Sequence, residues 1–281
     1  MNNKKLRKVQ MVEVEILDEI DRICKKNNIK YFLVGGTLLG AVRHGGFIPW
    51  DDDIDLGMLR EDYEKFIDIC INSDELDKKY FMHSDETDSD YWLPFIKIRK
   101  NNTTFDEKVI KNCDTHKGIY VDIFPMDYFK KQYSYFQKVK GFFIKIIGET
   151  IFYKKRIRKF KDCRRKGIVL FFSLFSFKFL KKTRDKLLLK NRNKNTEFIG
   201  CWVGAYNLND EIWKKDSIFP LKKIDFEGKK YPCFKNNDYY LKKVYGDYMK
   251  LPPEEKRVTH LPLEISFTKG KNMITKKKEG K

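Results

Sequence analysis

The stretch GGTLLGAVRHGGFIPWDDDIDLGM, residues 35–58, constrains this chain more than any other part of it. It follows Ile29 to Val34 (IKYFLV), which has the length and β-rich composition of a strand, and Gly35-Gly36 break that strand. Thr37 to Arg43 then reads as a helical turn. Gly45, Gly46 and Pro49 read as a loop before a second strand across Trp50 to Met58. On a strand of period two, Asp51, Asp53 and Asp55 share one face, while Asp52, Ile54 and Leu56 share the other. Three carboxylates on one face repel each other, and a divalent cation makes such an arrangement tolerable. Carboxylate oxygens together with substrate phosphates suit Mg²⁺, with Mn²⁺ as a second choice. The alternation of the acids with Ile54, Leu56 and Met58 argues against a merely solvated acidic loop. A strand that ends in Gly-Gly and turns into a helix also presents backbone N–H groups and a positive helix end, which suit a phosphate. It is neither a P-loop, since no Gly-Lys-Ser/Thr follows, nor the GxGxxG dinucleotide fingerprint.

Upstream, Val9, Val12, Ile16, Ile20 and Ile23 repeat at helical spacing, so the N-terminus reads as a packed amphipathic helix rather than a signal peptide. Downstream, Arg60 to Ile71 is a predicted helix with acid in its first turn, and Trp92 to Arg99 a predicted strand before a turn at Asn101 and Asn102. Gly118 to Phe124 is a further strand, expected to stop at Pro125. Along it Ile119, Val121 and Ile123 alternate with Tyr120, Asp122 and Phe124, which sets Asp122 opposite the apolar face. Asp127 is expected to cap a helix. Lys222 to Tyr231 is strand-like around a Glu227-Gly228 turn, and a short helix is expected over Asp238 to Val244. The mixture implies an α/β (α+β) fold.

The formal net charge of +19 is concentrated in one place: Lys130 to Lys190 holds 20 Lys and Arg against Glu149, Asp162 and Asp185, a net of +17. Inside it lies the most apolar run of the chain, Ile168 to Phe177 (IVLFFSLFSF), which Lys178 ends well short of a membrane span. The segment is expected to be basic, partly apolar and mostly helical, and a short apolar run among cations fits peripheral contact with an anionic membrane surface. The organisation implied is a catalytic core over 1–129, the basic segment over 130–190, a completing part over 191–268 and a disordered tail over 269–281. The six cysteines form no CxxC pair and no cluster with histidine, so reduced thiols and a cytoplasmic setting are expected.

Gly-Gly, an Asp-x-Asp strand and a later third Asp form the pattern of the DNA polymerase β-like nucleotidyltransferase fold, and within it the chain closely resembles the LicD family. The resemblance rests on FLVGGTLLGAVRHGGFIPWDDDIDLGMLREDYEKF (residues 32–66), VDIFPMD (121–127) and YGDYMKLPPEEKR with a following His260. It implies a nucleotidyltransferase-type core sheet with flanking helices, and an enzyme that moves phosphocholine or a related phospho-alcohol from a CDP-activated donor, with CDP-choline as the type case. The acceptor would be a sugar hydroxyl of teichoic acid, lipopolysaccharide or a similar glycan, and CMP would be released. A diphosphate-linked donor needs metal, so Asp53 and Asp55 are the expected ligands, with Asp51 as a further one. Asp122 is expected to complete the metal site and accept the acceptor's proton. Gly35, Gly36 and Thr37 would cradle donor phosphate, with Arg43, His44, Lys97 and Arg99 as phosphate contacts. Arg257 and His260 carry the last motif without a derived role. Two rivals stay open: a metal-dependent glycosyltransferase using a nucleotide sugar, and a nucleic-acid binder gripping phosphates with the basic segment. The apolar run at Ile168 to Phe177 suits a membrane better than nucleic acid, so no nucleic acid is expected.

Overall fold

The computed structural model describes residues 3–107, 110, 113–130, 134–155, 157–163, 165–189, 196–257 and 262–268. Helix α1 (Asn3–Lys26) buries Val9, Ile16, Ile20 and Ile23, as its period dictates, and places Lys25 and Lys26 in its last turn, where the helix dipole favours cations. Strand β1 (Tyr31–Leu33) runs directly into α2 (Gly35–His44), which ends at Gly45 in a left-handed cap with φ +66°. Strand β2 (Asp55–Leu59) runs into α3 (Arg60–Asn72). Then come β3 (Tyr80–His83), β4 (Ile96–Lys100), β5 (Thr104–Asp106) and the long β6 (Tyr120–Phe129). Three helices follow, α4 (Tyr135–Lys154), α5 (Lys166–Ser173) and α6 (Phe177–Leu189). The remainder holds β7 (Phe198–Gly200), β8 (Ile212–Lys214), α7 (Lys215–Ile218), the hairpin β9 (Lys222–Phe226) and β10 (Lys229–Cys233), α8 (Asn237–Tyr245) and β11 (Glu264–Ser266).

The main sheet has the order β1-β2-β6-β4-β3, with β7 and β8 continuing from β6. Only β2 and β6 run parallel; the other pairs in the sheet are antiparallel. The fold is therefore mixed α/β, as the element pattern implied. The principal core lies against this sheet, filled by α1, α2, α3 and the β9–β10 hairpin. The hairpin turns on Glu227 (φ +51°) and Gly228 (φ +77°), a left-handed pair that matches the twist of the strands.

Four expectations are corrected. The second strand begins at Asp55, not Trp50: the loop turns at Pro49, Asp51 N–H bonds back to Ile48 O at 2.9 Å, and the Gln10 amide holds Asp51 O at 2.9 Å. Burial nonetheless alternates as a strand would, with Asp52, Ile54 and Leu56 inside and Asp51, Asp53 and Asp55 half-buried. The strand expected at Trp92 starts only at Ile96, after Leu93-Pro94, because proline donates no ladder hydrogen bond. Last, Pro125 does not stop β6. The Asp122 amide points at β2, onto Ile54 O at 2.9 Å, so by alternation the Pro125 nitrogen faces the other edge. There it falls in the gap between β4, whose pairing ends at Ile123, and β7, whose pairing begins at Asp127. No ladder bond is lost, and the strand continues. Asp127 is thus a strand residue rather than a helix cap: its two oxygens accept from Arg60 Nε and Nη2 at 2.9 and 2.8 Å. His260 and the tail from Lys269 lie outside the described residues.

Candidate active site

Register puts the chemistry in one line. Asp55 of β2 lies opposite Asp122 of β6, Asp122 opposite Lys97 of β4, and Lys97 opposite His83 of β3. Four polar residues from four separate strands thus cross the middle of a sheet whose flanking positions are mostly apolar, Ile54 and Leu56, Val121 and Ile123, Ile96 and Ile98, and Met82. The backbone fixes the carboxylate end tightly. Asp55 O accepts from Val34 N–H at 3.1 Å, and Asp55 N–H donates to the Thr37 hydroxyl at 2.8 Å.

The two glycines are explained by what lies over them. Gly35 has φ +57°, and a Cβ there would stand 2.9 Å from Asp55 Oδ2; a Cβ on Gly36 would stand 2.7 Å from Asp51 Oδ2. Both carboxylates therefore lie directly against the first turn of α2, at its positive end, where a side chain would displace them. The Gly35 N–H donates to the Tyr240 hydroxyl at 2.8 Å, which ties α8 to this turn.

Charge is partly compensated. Lys97 Nζ donates to both Asp122 oxygens, at 2.5 and 2.8 Å, and sits 3.5 Å from the centre of the Tyr120 ring, with both partners buried. Beside that pair, the Asp55 carboxyl is pushed well above the usual range, first by burial and then by the charges of Asp53, Asp122 and Asp51, with Lys97 opposing. Asp53 and Asp122 face a cavity of about 440 Å³ that Lys97, Arg99, Tyr91 and Trp92 also line. A larger cavity, about 1110 Å³, opens at the opposite end of β2 and β6 by Leu59 and Tyr128 and holds none of the row.

The candidate cations divide. Lys97 is at the site. Arg99 lines the cavity but is spent within the core, donating from Nε to His83 Nδ1 at 2.9 Å and from Nη1 to Gly118 O at 2.7 Å. Because His83 Nδ1 accepts, its proton is assigned to Nε2, which faces Asp88 Oδ2 at 3.0 Å. Burial lowers the His83 pKa to about 4, so the ring is neutral. Arg43 and His44 stand at the far end of α2, about 12 Å along the helix from Gly35. There Arg43 Nη1 donates to Tyr248 O and Arg43 Nε contacts His44 Nε2. The fold does not bring them to the carboxylates. Arg257 donates from Nε to Pro252 O and stacks over Trp50.

Sequence reading passed over Glu13. It is buried on α1, its Oε2 has no hydrogen-bond partner, and its carboxyl is pushed well up by burial and then by Asp53, Asp52, Asp51 and Asp122. The signal was present: Glu13 stands within the Val9, Ile16, Ile20 stripe, where an acid has no place unless the neighbouring structure requires one. As to metal, Asp53, Asp122 and Asp51 together raise the Asp55 carboxyl, and carboxylate oxygens gathered in this way suit a hard divalent cation. Among the described residues, however, no group of three His, Cys, Asp or Glu side chains closes to a ligand set. A cation here would therefore draw part of its coordination from substrate phosphate and water, as Mg²⁺ does.

The family model described as LicD/FKTN/FKRP, nucleotidyltransferase domain, matches residues 28–170, which spans the whole row and runs into the basic segment. The lipopolysaccharide cholinephosphotransferase LicD of Haemophilus influenzae is 32% identical over 92% of this chain and 97% of its own length. An uncharacterised protein of Rickettsia prowazekii is 52% identical over 17% of this chain and 18% of its own length. The ribitol 5-phosphate transferase FKRP of Homo sapiens is 62% identical over 34 residues, 12% of this chain and 7% of its own length. With more than half of its residues under the family model and a relative matched nearly end to end, the chain belongs to the LicD family.

Proposed function

We propose that the protein is a phosphotransferase that moves phosphocholine, or a related phospho-alcohol, from a CDP-activated donor to a sugar hydroxyl of a cell-surface glycan such as lipopolysaccharide, teichoic acid or capsule. The observation that carries this reading is the similarity to a lipopolysaccharide cholinephosphotransferase along 97% of that protein. The row of Asp55, Asp122 and Lys97 supports it, since its Asp122–Lys97 end opens with Asp53 on one cavity, and acids beside an ammonium suit attack at phosphorus. A polymerase β-like nucleotidyltransferase core belongs to the same proposal, as do the division into a core over 1–129, a basic segment over 130–190 and a completing part over 191–268, and a cytoplasmic place at the inner membrane face.

Asp53 and Asp55, with Asp51 beside them, would hold Mg²⁺ or Mn²⁺. A bound cation would neutralise charge on the donor phosphates and on the leaving nucleotide. The first turn of α2 at Gly35, Gly36 and Thr37 offers its positive end to donor phosphate. Lys97 in its present position neutralises Asp122 and would spoil it as a base. When donor phosphate arrives, the ammonium can turn to it, and Asp122 is then left to receive the acceptor's proton. The acceptor oxygen bonds to phosphorus, the bond from phosphorus to the CMP oxygen breaks, and CMP leaves. Arg43 and His44 drop out as phosphate contacts because α2 carries them away from the row.

Purified protein with Mg²⁺ and CDP-choline, and then a panel of CDP-alcohols, should release CMP in the presence of a glycan acceptor. A nucleotide sugar releasing a nucleoside diphosphate, with no CDP-alcohol reacting, would replace this reading with the glycosyltransferase.

A further inference from the structure

The basic segment buries one side of its helices and leaves a group of apolar residues exposed on the other. At the junction of α5 and α6, Leu174 is 80% exposed, Phe171 59%, Leu170 53% and Phe179 51%. The rings form a chain, Phe171 to Phe175 at 5.9 Å and Phe175 to Phe179 at 5.2 Å. Exposed Lys159, Lys161, Arg165, Lys166, Lys178 and Lys182 belong to the same segment. Among the described residues no helix is long and apolar enough to cross a membrane. The inner side of this corner is anchored: Phe172 and Phe177 pack into an apolar cluster with Ile147, Ile151 and Trp92, and Phe152 and Ile157 belong to both that cluster and the wall of the cavity at Asp53 and Asp122.

We infer that the α5–α6 corner inserts into the surface of an anionic bilayer and so brings the cavity to the lipid-borne acceptor; only that consequence rests on the transfer proposed above. Exposed aromatic and aliphatic side chains in a segment rich in exposed cations match the two layers of such a surface, apolar below and anionic above. Nucleic acid would use the cations and stack on the rings, but it offers nothing to Leu170 and Leu174. Because the cavity wall and the anchor of the corner are one cluster, docking holds the cavity beside the membrane.

The full chain should sediment with phosphatidylcholine vesicles containing phosphatidylglycerol, and far less with phosphatidylcholine alone or at high salt. Phe171→Trp should give fluorescence that brominated lipid quenches beyond the native tryptophans. Phe171→Ser, Leu174→Ser and Phe179→Ser together should lower vesicle binding about tenfold or more, with the circular dichroism unchanged. The same triple variant should lose transfer to lipopolysaccharide held in vesicles while keeping transfer to its lipid-free oligosaccharide. No binding to anionic vesicles at low salt, no quenching, or binding undiminished in the triple variant would overturn the docking. Equal loss of transfer to both acceptors would overturn the link between docking and transfer. Binding and quenching are read without substrate, so absence of transfer by the unaltered protein counts against the chemistry and not against the docking.

Discussion

Lys97 and Lys182 carry the same charge in opposite settings. Lys97 is 5% exposed, clasped by both oxygens of Asp122 and covered by Tyr120, whereas Lys182 on α6 stands in solvent with the other cations of the basic segment. In the sheet, Lys97 and Asp122 are fixed partners, and their position follows from strand register. In the α4–α6 segment, charge density exceeds anything its three acids can pair, and apolar side chains stand outside as well. Buried charge held in register suits chemistry at one point, because a low dielectric strengthens each interaction and makes loss of a partner expensive. Exposed charge of one sign suits a surface, where every contribution is small and screened and only the sum matters.

The comparison breaks most visibly at Asp55. If it holds the cation against the donor, Asp55→Asn should lower kcat on the order of a hundredfold or more, since a catalytic metal supplies several kcal/mol. Thermal unfolding of the same variant should show equal or higher stability, because a carboxylate repelled by three neighbours has been removed. A variant that keeps its rate, or that loses it only by unfolding, would remove Asp55 from the site.

Next is the Lys97–Asp122 pair. Lys97→Met strands a buried carboxylate and should cost about 3–5 kcal/mol in denaturant unfolding, while Lys97→Met with Asp122→Asn should recover part of that loss. Equal stability of the single and double variants would mean that the pair is not coupled.

His83 gives a pH signature of somewhat smaller size. Burial lowers its folded pKa from 6.5 to about 4, so the folded state binds fewer protons than the unfolded chain between those values. Its contribution, about 3 kcal/mol, is complete above pH 6.5, shrinks as pH falls, and is gone below about 4. Glu211 runs the other way: burial raises it from 4.5 to about 7, so its contribution is complete below pH 4.5 and gone above 7. Between about pH 4 and 6.5 stability should rise less with pH in His83→Gln than in the unaltered protein, and an identical pH dependence would show that His83 does not titrate as the fold implies.

Smallest of all is Lys182→Ala on the basic segment, expected within about 0.5 kcal/mol of the unaltered protein in stability. Its effect should appear only as slightly weaker binding to anionic vesicles at low salt. A loss comparable with that of Lys97→Met would erase the distinction between the two regions.

Local chemistry made much of the fold legible. The stripe of α1 obeys the helical period, Gly35-Gly36 breaks a strand, and Glu227-Gly228 makes a turn; each depends on a few neighbouring residues. Asp53, Asp55 and Asp122 could be singled out because acids alternating with Ile and Leu have no local reason to be there. What the chain alone could not supply was the relation between segments far apart in sequence. That Lys97 neutralises Asp122 follows from the antiparallel register of β4 on β6, and that Arg43 and His44 miss the site follows from the direction of α2. Pro125 looked like a stop because a proline lacks an N–H, and only the change of partner from β4 to β7 on that edge shows that no bond was needed there. Glu13 joins the acids because α1 packs across the loop that Gln10 holds at Asp51. Periodicity and turn preference are local free energies written residue by residue; pairing of charges is a property of distance in space, and the sheet sets those distances.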